Sequence, residues 1–384
     1  MNKKVLVLGA GRVGTAIALD LSDNYKVVVV DAHAEALTEA RKVFKKANRK
    51  VGVTLCDCTD IDSFKSLAKY PDLIINALPG AVGFFVLKNS IQWGKNIIDI
   101  SFAPEDPLTL KDVAKKAGVT AIVDCGIAPG LSNMIAGFHY GQMKMNSFSC
   151  RVGGLPKKKS PPFNYKAPFS PIDVLAEYIR PARFMEQGRV VTKKALSDIE
   201  NIVFEGIGEL EAFNTDGLRT LLKTLKVPFM WEKTLRYPGH AEQMKFLRNA
   251  GFFDSKSIKA GDTFFSPIEV TTRLLLSHWK YAPGEEDLTL MRIVVDGEED
   301  SEKVLYTYTL YDEYDQKTKM SSMARTTGFT CTAVARLLLE GKIKQTGLVT
   351  PEELGMDHQI FDEVVNYLRS KNISLDIKKV TFKK

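Results

Sequence analysis

The first apolar run, Val5-Leu-Val-Leu8, has no polar position on either face, the pattern of a strand buried on both sides. Gly9-Ala-Gly11-Arg12-Val13-Gly14 follows without a gap. Residues 15–21 are good helix formers, and Val27-Val-Val-Val30 is a second buried strand ending at Asp31. The alternation continues, with strands predicted at 50–55, 73–75, 96–100 and 120–123. Helices are predicted at 61–70, with Asp60 as N-cap, and at 82–93 and 108–117. Strand–helix pairs joined by short links predict an α/β fold, a doubly wound parallel sheet that takes its ligand at the carboxyl ends of the strands.

After Asp124 the pattern changes. Cys125-Gly-Ile-Ala-Pro-Gly130 cannot continue a strand and reads as a crossover into a second domain. A helix over 132–141, a strand over 148–152 and a polar, Pro-rich loop over 155–162 come next. Further strands are expected at 234–237, 264–270, 290–296 and 303–310, the last two forming a hairpin around 297–302. This mixture predicts an α+β domain with an antiparallel sheet. Residues 326–340 form a late helix stopped by Gly341. The expected division is 1–125, 126–320 and a C-terminal segment 346–384.

Composition narrows the class. Of 384 residues, 45% are hydrophobic and 26% charged, enough for a sizeable core and against a disordered chain. Lys and Arg exceed Asp and Glu by 53 to 46, too slight a surplus for a nucleic-acid partner. Lys157-Lys-Lys159, Lys378-Lys379 and Lys383-Lys384 read as solvated charge. Five cysteines, with Cys56-x-Cys58 the one close pair, fit neither a disulfide framework nor a zinc site. The opening apolar run spans four residues, too few for a signal segment or a membrane span. A cytoplasmic protein with reduced thiols and no membrane partner is expected.

The strand, Gly-x-Gly-x-x-Gly turn, helix, strand and acid together predict a dinucleotide site. Gly9 permits the tight turn, Gly11 the approach of a pyrophosphate, and Gly14 close packing of helix on strand. The helix N-terminus offers free N–H groups and a positive dipole end, and Arg12 and Val13 of the turn are expected at the cofactor. Asp31 would accept hydrogen bonds from ribose hydroxyls and repel a 2′-phosphate, so NAD is expected over NADP. Asp57 is placed to meet the adenine edge, and Ala77, Leu78 and Pro79 to line the cofactor path. Each of these positions would equally serve a loop turn.

Several motifs then occur in one order: Asp124-Cys-Gly-Ile-Ala-Pro-Gly130, Val152-Gly-Gly-Leu-Pro156, Tyr165-Lys166, Phe169-Ser-Pro171, Glu211-Ala-Phe213 and Leu235-Arg-Tyr-Pro-Gly239. From Val5 to about Gly347 the chain resembles the saccharopine reductase family, the glutamate-forming saccharopine dehydrogenases, and the related lysine 6-dehydrogenases. The resemblance implies nicotinamide-dependent chemistry at the far C–N bond of a lysine skeleton. It also implies a second domain inserted into the first, with a helix within 321–345 returning to the nucleotide domain. Tyr165-Lys166 and Ser170-Pro171 are similar to the saccharopine reductases. Ala128-Pro129-Gly130 and Asp31 look like lysine 6-dehydrogenase.

Amine oxidation needs a hydride acceptor, a base for the amine proton and cations for substrate carboxylates. Arg236, in the Leu235-Arg-Tyr237 motif, is the first candidate anchor, followed by Arg219 and Lys166, with Arg151 a weaker one. The alternative for Arg236 is a structural ion pair. Asp99 and Asp124 end the fifth and sixth strands, where burial would raise a carboxyl pKa towards a useful value. His240 is a base candidate for neutral pH, Tyr165 a donor to substrate, His139 a core histidine, and Cys125 a thiol beside Asp124. The expected activity is NAD(P)-dependent hydride transfer at the ε C–N bond of saccharopine or lysine, with imine hydrolysis to the semialdehyde. Free lysine, a carboxylated polyamine, or a silent NAD-binding regulatory protein remain the alternatives. An amino-acid substrate and a homodimer complete the expectation.

Overall fold

The computed structural model describes residues 3–382, so Lys383 and Lys384 of the basic tail lie outside the described residues. The chain divides into two compact units. The first takes in Met1–Met143, Arg219–Leu225 and Asp315–Leu375; the second takes in Lys144–Leu218, Lys226–Tyr314 and Asp376–Lys384. Against the expected boundary near 125, the first unit runs on to Met143.

In the first unit, β1 (Lys4–Leu8), α1 (Arg12–Leu21), β2 (Lys26–Asp31), α2 (Ala34–Lys46), β3 (Gly52–Leu55), α3 (Ile61–Leu67) and β4 (Leu73–Asn76) follow the predicted alternation. So do α4 (Gly80–Gln92), β5 (Ile97–Asp99), α5 (Lys111–Ala117) and β6 (Thr120–Ile122), before α6 (Leu131–Tyr140). The sheet has the order β3-β2-β1-β4-β5-β6, with Gly347–Val349 as a seventh strand beyond β6. Every pairing in it is parallel. Leu8, Phe64, Ile74, Val86 and Ile97 share one buried core on this sheet. The order reverses between β1 and β4, the switch point at which doubly wound sheets take ligands.

The late helix Ser322–Leu339 belongs to this unit. It lies close on α1, where a Cβ at Gly328 would stand 3.3 Å from Ile17 Cγ1. Within 346–384 are a strand, helices Pro351–Gly355 and His358–Ser370, and a last strand, Leu375–Phe382. Buried Asp20, on α1, binds these late elements together. It accepts from Thr332 Oγ1 at 2.7 Å and from the Tyr367 hydroxyl. It also pairs with Lys371 Nζ at 2.5 Å and Arg336 Nη2 at 3.8 Å.

The second unit holds a sheet in the order Glu200–Phe204, Gly208–Asn214, Phe229–Arg236, Lys144–Pro156, Asp287–Glu299, Glu302–Glu313, Leu375–Phe382. The sheet is mixed, not antiparallel as expected, because Phe229–Arg236 runs parallel to Lys144–Pro156. A parallel neighbour needs a long crossover rather than a hairpin, and the intervening chain contains the helix Pro171–Ile179. The predicted hairpin is present with register Glu299↔Glu302. Its two central residues, Asp300 and Ser301, have φ of 50° and 67°, the conformation of a two-residue type I′ turn. The strand expected at 264–270 is shorter than expected and earlier: Thr263–Phe265 is a strand paired with Ile258–Ala260, and Ser266 and Pro267 then start the helix Pro267–Trp279. Proline at the first helical position is pre-set for a helix and lacks the N–H a ladder needs. That helix, Pro171–Ile179 and His240–Asn249 contribute to a core of Tyr165, Tyr178, Phe213, Met244 and Trp279. Among the described residues no helix is long and apolar enough to cross a membrane.

Asp20→Ala is expected to lower the unfolding free energy by about 3 kcal/mol, since buried donors and cations lose a shared acceptor. Guanidinium unfolding monitored by fluorescence and circular dichroism checks this. A change below about 0.5 kcal/mol, typical of a surface site, would refute it.

Candidate functional site

The glycine-rich turn has the geometry a phosphate cradle needs. Gly9 has φ of +102°, and a Cβ there would lie 2.5 Å from the carbonyl oxygen of Ala77. A Cβ at Gly14 would lie 2.0 Å from the carbonyl oxygen of Gly9. At Gly11 the same position has nothing within 4 Å, so the turn is open there, where α1 begins with Arg12. Closed packing at two glycines and an open third, at a helix N-terminus, fits a bound pyrophosphate. Arg12 is exposed and Val13 half-buried at this same end.

Asp31 is tied to the turn. Its Oδ2 accepts from Ala10 N at 2.7 Å and its Oδ1 from His33 N at 2.9 Å. Each oxygen keeps a second lone-pair direction for a further donor. Ala77 N donates to Leu8 O at 2.8 Å, which lays Ala77, Leu78 and Pro79 alongside Gly9. Asp57 is exposed and closes its own turn, accepting from Thr59 N at 2.9 Å and Thr59 Oγ1 at 2.7 Å. These bonds hold its carboxyl below the usual range.

Beyond the switch point the strand ends carry a buried polar cluster. β4 and β5 are in register with Asn76 opposite Asp99. Asn76 Nδ2 donates to Asp99 Oδ1 at 2.6 Å and to Gly83 O at 3.0 Å. Ser101 donates to Asp99 through Oγ at 3.0 Å and through N at 3.2 Å. A side chain at position 83 would collide with Ser101 Oγ, 2.0 Å from its Cβ. Burial pushes Asp99 up to about 7; the charge of Asp124 adds to this, and the donors from Ser101 and Asn76 oppose it. Asp124, just past β6, is buried with φ of 52°.

Arg219, expected to meet substrate, instead faces this cluster within the first unit. Its Nε lies 3.3 Å from Asp124 Oδ1, its Nη1 donates to Ala103 O at 2.8 Å, and its guanidinium sits 5.2 Å from the Phe102 ring centre. Cys125 is fully buried, and burial raises its thiol well above the ordinary value, so it is no reactive thiolate.

The other expected substrate residues lie in the second unit, engaged with partners inside it. Arg236 is 2% exposed and donates from Nη2 to Glu177 Oε2 at 2.7 Å, from Nε to Tyr178 OH at 3.2 Å and from Nη1 to Leu235 O at 2.9 Å. Its guanidinium stacks 4.3 Å from the Tyr165 ring centre. This is the structural ion pair rather than an open carboxylate anchor. His240 Nε2 meets Tyr178 OH at 2.9 Å and Nδ1 meets Phe163 O at 3.0 Å. Burial, reinforced by the Arg236 charge, pushes His240 down to about 3, which corrects its expected role as a base titrating near neutrality. Glu211 orients the Arg236–His240 corner by accepting from Gly239 N at 3.0 Å and Ala241 N at 2.5 Å. Lys166 Nζ is paired with Glu285 Oε2 at 2.7 Å, and Tyr165 is buried in the aromatic core. His139 is buried, as its core reading expects.

Sequence reading missed Asn76 as a partner of Asp99, Ser101 as its second donor, and Glu177 and Tyr178 as partners of Arg236. Asn76 and Ser101 had a signal, as polar residues at or just beyond strand ends of a parallel sheet. Glu177 had none, being 59 positions from Arg236.

Comparison with known proteins now bears on this geometry. Residues 5–122 match the saccharopine dehydrogenase NADP binding domain and residues 126–373 the saccharopine dehydrogenase C-terminal domain. The chain is similar to alpha-aminoadipic semialdehyde synthase of Arabidopsis thaliana, 24% identical over 98% of this chain but 45% of that protein. It thus spans about half the length of the first curated relatives it matches. Saccharopine dehydrogenase (NADP(+), L-glutamate-forming) of Saccharomyces cerevisiae is 24% identical, with 97% of this chain and 100% of the relative covered. The solved structure of the apo, histidine-tagged yeast saccharopine dehydrogenase (L-Glu forming) shares the fold, with a TM-score of 0.76 at 23% identity over 99% of this chain and 100% of that one. With both of the family's domains matched in order along one chain, the protein belongs to the saccharopine dehydrogenase family.

Proposed function

We propose that the chain is an NAD-dependent oxidoreductase that opens the C–N bond at the ε carbon of a saccharopine-type secondary amine. The amine loses a hydride and a proton, and water adds to the resulting imine to release a semialdehyde and an amino acid. The observation that carries this reading is Asp99, a buried carboxyl with an ionisation near 7 at the carboxyl edge of the sheet. Such a group can take the amine proton in one direction and return it in the other. Asn76 and Ser101 fix its two oxygens, and the field of Asp124 helps keep its proton exchangeable near neutrality. Full coverage of the L-glutamate-forming yeast relative supports the substrate class.

Bound NAD would supply the hydride acceptor. The turn Gly9–Gly14 and the start of α1 would hold its pyrophosphate, and Asp31 its adenosine ribose. The family's domain and the yeast relative are named for NADP, whereas an acid ends β2 here, which supports NAD. A second reading, free lysine as substrate, is favoured by the internal pairing of Arg236 and Lys166, because a three-carboxylate adduct needs more free cations than lysine does. A homodimer would use an edge strand of the second unit's sheet, Glu200–Phe204 or Leu375–Phe382.

NADH formation with saccharopine, then with lysine, separates the readings; tight NADH binding with neither substrate turned over would sink both. Asp31→Ala should narrow the preference for NAD over NADP in kcat/KM by roughly tenfold, the worth of one charged hydrogen bond, and an unchanged ratio would remove its ribose role. Amine oxidation should speed up as pH rises through about 7, where Asp99 loses its proton. Asp99→Asn should abolish that limb and slow turnover by about 10²-fold or more. A wild-type profile retained in the variant would assign the base elsewhere.

A further inference from the structure

The segment Arg219–Leu225 belongs to the first unit although the chain on either side of it belongs to the second. Arg219 enters it with φ of 51°, a left-handed conformation that a residue bearing a Cβ holds only when its surroundings over-determine it. The next residue, Thr220, is 2% exposed, and its Oγ1 donates to Glu352 Oε2 at 3.1 Å. Thr224, one turn on, places its Oγ1 2.6 Å from Glu352 Oε1. Asn133 Nδ2, from α6, lies 3.3 Å from Glu352 Oε2.

Glu352 is itself held rigidly. It is fully buried on the helix Pro351–Gly355, which lies directly on α6. A Cβ at Gly137 would stand 2.0 Å from Glu352 O, and one at Gly355 would stand 2.1 Å from Met134 O. Two missing side chains thus allow backbone-to-backbone contact, which leaves the carboxyl no freedom to retreat.

Resting on the oxidoreductase reading, we propose that Glu352 is a positioning residue: through Thr220 and Thr224 it seats Arg219–Leu225, and so holds the Arg219 guanidinium against Asp124 beside Asp99. The hydrogen-bond geometry accommodates a neutral carboxyl as well as an ionised one, which would accept from Thr220, Thr224 and Asn133. The Thr224 hydroxyl lies 3.0 Å from Thr220 O as well as 2.6 Å from Glu352, and its one hydrogen serves only one of them. A protonated Glu352 donates to Thr224 Oγ1, and Thr224 then donates to Thr220 O, so every group is satisfied. Burial raises the Glu352 carboxyl above its ordinary value, towards the neutral form. Glutamine reproduces this donor and acceptor pair; alanine removes it.

The test uses the full chain as wild type, Glu352→Ala, Glu352→Gln and Thr224→Val. Amide hydrogen exchange over 219–225 is measured together with the pH profile of NADH formation. In Glu352→Ala, exchange over 219–225 should rise about tenfold against the rest of the first unit. Turnover should fall with the KM for NAD unchanged. The midpoint near 7 should move upward, because Asp124 without its counter-ion penalises the charge on Asp99. Glu352→Gln should restore all three, a rescue that a purely space-filling role would not depend on. Wild-type exchange in Glu352→Ala, or a Gln variant as damaged as the Ala variant, would overturn the proposal. If Glu352→Ala does not fold, Thr224→Val decides by the same readouts, and wild-type exchange over 219–225 would overturn the seating. A wild-type chain inactive on saccharopine and on lysine would overturn the oxidoreductase reading alone, and the exchange arm would still decide the seating.

Discussion

The nucleotide unit depends on a backbone contact that no side chain could survive. Where β1 ends, Gly9 packs on the carbonyl of Ala77 just past β4, and Gly14 packs on the carbonyl of Gly9. Those contacts bring the start of α1 down onto the sheet at its switch point. They also fix how far β4 extends before it turns. Because β4 and β5 are in register at Asn76 and Asp99, the same constraint sets the one polar side chain against the other. The phosphate cradle and the buried acid are two ends of one packing requirement.

The two buried charge clusters are built on opposite principles. Around Asp99 and Asp124 there are two carboxyls and one guanidinium, and burial, with the charge of Asp124 adding to it, makes Asp99 hold its proton more tightly than an ordinary carboxyl does. Around Arg236 the guanidinium is met by Glu177, two tyrosine hydroxyls and a backbone carbonyl, and the adjacent histidine is kept neutral. A satisfied network of that kind specifies a shape. The Asp99–Asp124 cluster is hydrogen-bonded as well, but its two carboxyls outnumber its guanidinium.

What was legible in the sequence follows the same division. Parallel strands buried on both faces write themselves as unbroken apolar runs, so β1, β2, β4 and the acids at the strand ends were readable. The glycines were readable because their spacing encodes a turn, and the resemblance to a family supplied the rest of the architecture. The partners of Arg236 were not readable, because an ion pair across 59 positions leaves no local trace. The strand at Phe264-Phe265 was readable, but its extension to Val270 was not, because Ser266 and Pro267 start a helix there. The parallel step inside the second sheet was hidden for a further reason: alternation of polar and apolar residues records a face, not a direction.

The interleaving of the chain bears on how the molecule is made. When the chain has left the ribosome as far as Met143, six strands of the nucleotide sheet exist but the unit is unfinished. Its seventh strand, the helix that covers α1, and Arg336 and Lys371, which pair with Asp20, are encoded after residue 320. Synthesis from the N-terminus usually completes domains in order. Here nearly all of the second unit is synthesised before the first can close, and Asp20 on α1 waits for Arg336 and Lys371. The loop-closure entropy of such distant contacts falls on one step. Completion of the nucleotide unit therefore waits until the chain has grown past residue 371.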